Sequence, residues 1–233
     1  MKIPMRLSPL HDRLAMLDPQ WSHLHGMPVA LQVRNGETGQ EPLPSLALCD
    51  LSALPRLEIR GRESATWLAA CGIAVPEPIF AARRDPDTGI LVARTGSHNV
   101  FLEEVPGGCT IQHLREAMGD RSTRRFPVDR QDASLCLCGA QALEALRQSC
   151  GFDFEQTGPQ LVMTRIAGIS AMILREDAHG LPTFRIWTDP SYGPYLWDAM
   201  LDIVRTLGGD AIGLAALFPN VVDITTEAQR SAS

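Results

Sequence analysis

Four groups of residues in this sequence have types and spacings that chemistry can use. Cys136 and Cys138 stand two apart in SLCLC; on a strand both thiols point to one face and could share a metal. A structural zinc site needs four ligands. No second pair is present and no C-x-x-C occurs, so the two read as small buried core residues. His23 and His25 form an H-x-H pair with His11 upstream; without further ligands they read as surface histidines of an unstructured polar segment. Asp85 and Asp87 bracket Pro86 in RRDPDTG. Neighbouring carboxylates can divide acid and base roles, but D-P-D-T-G is also the composition of a tight turn before a strand, and the turn is the preferred reading. Arg165 offers a guanidinium fork suited to a carboxylate and is the one weak candidate for a cofactor contact, although an arginine at a strand rim is commonly solvated or paired.

P-loop, G-x-G-x-x-G and G-x-S-x-G patterns are lacking. No catalytic residue and no metal ligand is therefore assigned. The net charge of −6 is spread along the chain, without the basic stripe that phosphate backbones require, so nucleic acid is not an expected partner. The start, MKIPMRLSPLHDRL, lacks an apolar signal-peptide core, and no run approaches the roughly 18 apolar residues of a membrane span. A cytoplasmic protein without a membrane partner is the expectation. The six cysteines sit mostly inside apolar runs, which fits reduced core thiols better than a disulfide framework.

The elements that must position these residues are punctuated by glycine. LPRLEIRG alternates apolar and polar and stops at Gly61, the pattern of a half-buried strand entering a turn. The helix in RESATWLAACG ends at Gly72. ASLCLCGAQALEALRQSCG repeats the motif, with a strand to Gly139 and a helix to Gly151. The glycines are 11 positions apart in the first case and 12 in the second, so the segments read as copies. Two strands and a helix follow each copy. In the first they are TGILVART and NVFLEEV, then a helix from Thr110; in the second, a long strand in QLVMTRIAGISAMILRED, then PTFRIWTD and a helix capped by Asp189 with Pro190 at its first position and Gly208 at its stop. The reading is α+β, a duplicated β-α-β-β-α unit. Residues 1–53 form an N-terminal extension, 54–119 the first unit, 120–132 a polar linker with solvated Arg121, Arg124, Arg125 and Arg130, 133–215 the second unit and 216–233 a C-terminal tail that frays after about residue 224.

SPLHDRL, LCDLSALPRLEIRGRESATWLAACGI, QLVMTRIAGISAMIL and PSYGPYLWDAML together resemble the gamma subunit of heterotetrameric sarcosine oxidase and its relatives, from about residue 7 to 215. That subunit is similar to the folate-binding domain of the glycine-cleavage T-protein, an aminomethyltransferase. The resemblance implies the aminomethyltransferase folate-binding fold. It also implies an accessory role in a complex whose larger, flavin-carrying subunits hold FAD or FMN, NAD and tetrahydrofolate, and whose substrate is sarcosine or another amine. The alternative implied is a stand-alone tetrahydrofolate-binding protein of the aminomethyltransferase type. The sequence departs from the T-protein pattern at three points. Thr88 and Gly89 stand where the family has an acid pair, Ile166–Ile169 replaces its Y-T-G-E turn, and its second, C-terminal domain has no counterpart in these residues.

Overall fold

Alternation of side chains decides where the first unit is buried. In Arg56-Leu57-Glu58-Ile59-Arg60, Leu57 and Ile59 share one face of the strand, and that face is fully covered. The computed structural model describes residues 6–33, 45–118, 124–155, 158–177 and 180–224. Within them the elements run α1 (His11–Ala15), β1 (Pro19–Leu24), β2 (Met27–Val33), β3 (Ala47–Asp50), β4 (Arg56–Arg60), α2 (Ser64–Ala70), β5 (Ala82–Arg84), β6 (Leu91–Gly96), β7 (Asn99–Glu103), α3 (Thr110–Met118), β8 (Phe126–Asp129), β9 (Ala133–Cys138), α4 (Ala142–Ser149), β10 (Leu161–Ile166), β11 (Ile169–Arg175), β12 (Thr183–Thr188), α5 (Gly193–Thr206), β13 (Asp210–Ala211) and α6 (Leu214–Leu217). The fold is mixed α+β. It divides into two units, one of residues 54–131 with 159–162, the other of the remainder.

The smaller unit is built on an antiparallel sheet of order β5-β6-β7-β4-β8. Leu57, Ile59, Val92, Val100 and Leu102 from its strands pack with Leu68 and Ile73 at α2 and with Ile111, Leu114 and Met118 of α3. Each large aliphatic side chain so buried contributes about 1.5–3 kcal/mol.

The larger unit holds a sheet of order β10-β11-β12-β9-β3-β13, antiparallel except for β13 beside β3, and a separate β1-β2 hairpin. Trp187, Trp197, Phe154 and Phe184 are its largest buried side chains. Leu196, Trp197, Met200, Leu201 and Val204 line the buried side of α5, at helical spacing.

Position for position the two sheet orders coincide, β5-β6-β7-β4-β8 against β10-β11-β12-β9-β3. The fifth strands are out of chain order. β3 directly precedes β4 but lies beside β9, and β8 directly precedes β9 but lies beside β4. Gly61 and Gly139, the residues after β4 and β9, both have φ +125. Each is required by a close approach: a Cβ would strike the carbonyl oxygen of Arg124 at the first and of Ser45 at the second, just before β8 and β3. Their N–H groups donate to His98 O at 2.8 Å and Pro182 O at 3.0 Å.

Several expectations change. The polar stretch 120–132 contains a strand, β8, because Phe126–Asp129 finds a backbone partner in β4. The segment around His23 and His25 is the β1-β2 hairpin, turned at His25 (φ +50) and Gly26 (φ +74). QLVMTRIAGISAMIL is two strands, β10 and β11, because Ala167 (φ +48) and Gly168 (φ +84) turn the chain in its middle. β5 joins as a short edge strand. α4 ends with Cys150 in extended backbone rather than with a left-handed Gly151. Asp189 caps a short 3-10 turn, Pro190–Tyr192, that leads into α5. Arg121 and the tail beyond residue 224 lie outside the described residues.

Candidate functional site

Two of the resemblance motifs meet at Asp50, at the end of β3. Ser8 Oγ donates to Asp50 Oδ2 at 2.6 Å, and Ser52 N donates to Asp50 Oδ1 at 2.9 Å. Leu10 N donates to Ser8 Oγ, and Ser134 N on β9 donates to Ser52 Oγ. SPLHDRL is thereby fixed to LCDLS and, through Ser52, to the central strand of the larger unit. Ser8, Ser52 and Ser134 are buried, so each bond also satisfies a group that would be costly unpaired.

The polar side of β4 is the most strongly charged buried place in the smaller unit. Arg56 and Glu103, in register on β4 and β7, approach to 3.4 Å with both side chains fully buried. Glu58 accepts from Arg60 Nη2 at 2.7 Å, Arg130 Nη1 at 3.2 Å and Thr95 Oγ1 at 3.1 Å. The Arg130 guanidinium stands 5.5 Å over the Phe101 ring. Burial alone would raise the Glu58 carboxyl, but the hydrogen bond from Arg60 and the charges of Arg130 and Arg60 outweigh it and hold the group below its ordinary range. A carboxylate held ionised in this way is a poor general acid at neutral pH. The cluster binds strands together.

In the larger unit the corresponding face carries thiols. Cys136 lies in register with Cys49 on β3 and with Arg185 on β12. Cys49, Cys136 and Cys138 are all buried. Burial and the neighbouring thiol push Cys49 well up, and the hydrogen bond with Cys138, with burial, does the same for Cys136. Buried thiols kept protonated are poor nucleophiles. Among the described residues no group of three or more His, Cys, Asp or Glu side chains is placed to hold a metal ion.

Asp85 is a turn residue. Its Oδ1 accepts from Asp87 N, Thr88 N and Thr88 Oγ1 at 3.3, 3.0 and 2.8 Å, and the Thr88 bond leads in holding its carboxyl below the usual range. Asp87 is exposed, so the two carboxylates form no acid-base pair. His23 and His25 are exposed; His11 stacks on Trp21 at 4.6 Å between ring centroids. Arg165 is exposed on β10, the outer strand of its sheet. Of the arginines expected to be solvated, Arg124 is exposed while reaching Glu63, whereas Arg125 is partly covered between Glu63 and the Trp67 ring and Arg130 is partly covered against Glu58. Their partners lie far off in sequence and carry no local signal.

One pairing was missed. Cys109, exposed at the start of α3, has its Sγ 3.8 Å from His113 Nδ1. The C-x-x-x-H spacing at the head of a helix is legible, since positions four apart share a face. The buried Glu104 carboxylate already caps that helix end, accepting from Ile111 N at 3.0 Å.

No helix among the described residues is long and apolar enough to cross a membrane. Neither a protein-family model nor a curated protein matches the chain. Among solved structures, the glycine cleavage system aminomethyltransferase T from Bartonella henselae is similar over 91% of this chain, with TM-score 0.69 and 16% identity. This chain spans 61% of that protein's length. A chain of heterotetrameric sarcosine oxidase from Corynebacterium sp. U-96, in complex with pyrrole 2-carboxylate, is similar over 88% of this chain and 98% of its own length, with TM-score 0.63 and 19% identity. At these identities the likeness is one of fold: the chain has the architecture shared by an aminomethyltransferase T and a sarcosine oxidase chain.

Proposed function

We propose that this protein is an accessory, gamma-type subunit of a heteromeric flavin-dependent sarcosine or amine oxidase or dehydrogenase, without a catalytic site of its own. The observation that carries this reading is the extent of the fold match. The sarcosine oxidase chain is covered almost end to end, at 98%, whereas the aminomethyltransferase is covered for 61% of its length. The chemistry of the buried groups is consistent with it, because Glu58 and Asp85 are held ionised and Cys49 and Cys136 are held protonated. On this reading the flavin, NAD and tetrahydrofolate sites belong to larger cytoplasmic partner subunits. The two sheets are copies of one β-α-β-β-α element, a reading supported by the matching strand orders and by Gly61 and Gly139.

The test is purification of the tagged chain from its native cell, followed by a visible spectrum and an assay with sarcosine. Larger chains, flavin absorption and amine oxidation in the eluate are the expected result. A colourless lone chain overturns the proposal. Saturable binding of tetrahydrofolate to that lone chain would then favour the stand-alone aminomethyltransferase-like reading, which the higher TM-score of 0.69 supports.

A further inference from the structure

We draw no further inference here: the strongest candidate, the exposed Ile79–Phe80 projection in which Phe80 stands at φ +68 and is held by backbone hydrogen bonds with Arg94 and Leu161, is an apolar surface feature and nothing in the structure shows what covers it.

Discussion

β4 and β9 occupy the same place in their sheets and end in the same glycine conformation, yet only one of their two faces is alike. On one face Leu57 and Ile59 of β4 correspond in position to Leu135 and Leu137 of β9, all fully buried. On the other, Arg56, Glu58 and Arg60 stand where β9 has Ser134, Cys136 and Cys138. The cross-strand mates differ in the same way: Arg56 faces Glu103 on β7, and Ser134 faces Trp187 on β12. The apolar face and the glycine set the architecture. The second face accepts either charges or thiols, with Arg56 set against Glu103 in one sheet and Cys136 set between Cys49 and Arg185 in the other.

Alanine at the two glycines tests the shared part of that comparison with the largest expected effect. Gly61→Ala and Gly139→Ala each put a Cβ into a backbone carbonyl at φ +125. Left-handed strain and overpacking together should cost about 2–6 kcal/mol in each case, measured by urea unfolding. Equal losses sharpen the equivalence, and a tolerated Gly139→Ala beside a crippling Gly61→Ala breaks it.

Next in size is the ion pair. Glu103→Gln removes the carboxylate charge that faces Arg56 in the buried pair and should lose about 3–5 kcal/mol. The double variant Arg56→Met with Glu103→Leu should recover most of that loss, because apolar residues of similar volume can replace a buried pair. If it does not, the charges of β4 are required in a way that the thiols of β9 are not.

Acid should separate the faces further. The Glu58 carboxyl is depressed in the folded protein, so its contribution to stability is present above its ordinary value of 4.5 and is lost as pH falls from there through the folded value. Glu58→Gln should flatten this acid limb of a stability-pH curve. Cys136, which stands in β9 where β4 has Glu58, adds no such limb, because its buried thiol is pushed up and stays uncharged in acid.

Smaller still are the effects at the surface. Under native conditions a thiol reagent should modify Cys71 and Cys109, the two exposed cysteines, and reach Cys49, Cys136, Cys138 and Cys150 only after unfolding. Native labelling of Cys136 would show that the face of β9 opens. Arg165→Ala should change unfolding free energy by no more than about 0.5 kcal/mol, since the residue is exposed at a sheet edge.

What could be read in the sequence follows from where each signal resides. Gly61, Gly72, Gly139 and Gly208 announce themselves because glycine is the residue that takes a positive φ without steric cost; Thr110 opens α3 at the residue expected. β5 was hidden by being short and polar, ARR, and β8 by being short and carrying a proline, FPVD; a strand at a sheet edge is defined by its partner more than by its own composition. The turn at Ala167 was hidden because alanine rarely adopts φ +48. The ionic face escaped for a related reason. LEIR reads as a half-buried strand with its charges in water, but Arg56 and Glu58 are 3% and 2% exposed. Glu103, which meets Arg56, and Arg130, which joins the nearby Arg60 on Glu58, lie 47 and 72 residues along the chain. The meeting of SPLHDRL with LCDLS at Asp50 spans 42 residues and was visible only as two unconnected motifs.

The out-of-order fifth strands bear on how the chain is completed during synthesis. All five strands of the smaller sheet are contained in residues 54–131, so that sheet can assemble while much of the chain is still unmade. The larger unit has no such early option. β3 must wait for β9, and Arg13 for Asp198, 185 residues later. The segment that carries Leu10 and Leu14 is thus made well before Asp198, the partner of its Arg13, and stays incompletely held in the interval. Long-range closure of this kind is slow and leaves the nascent chain open to misassociation, a hazard carried by one half of the molecule and spared the other.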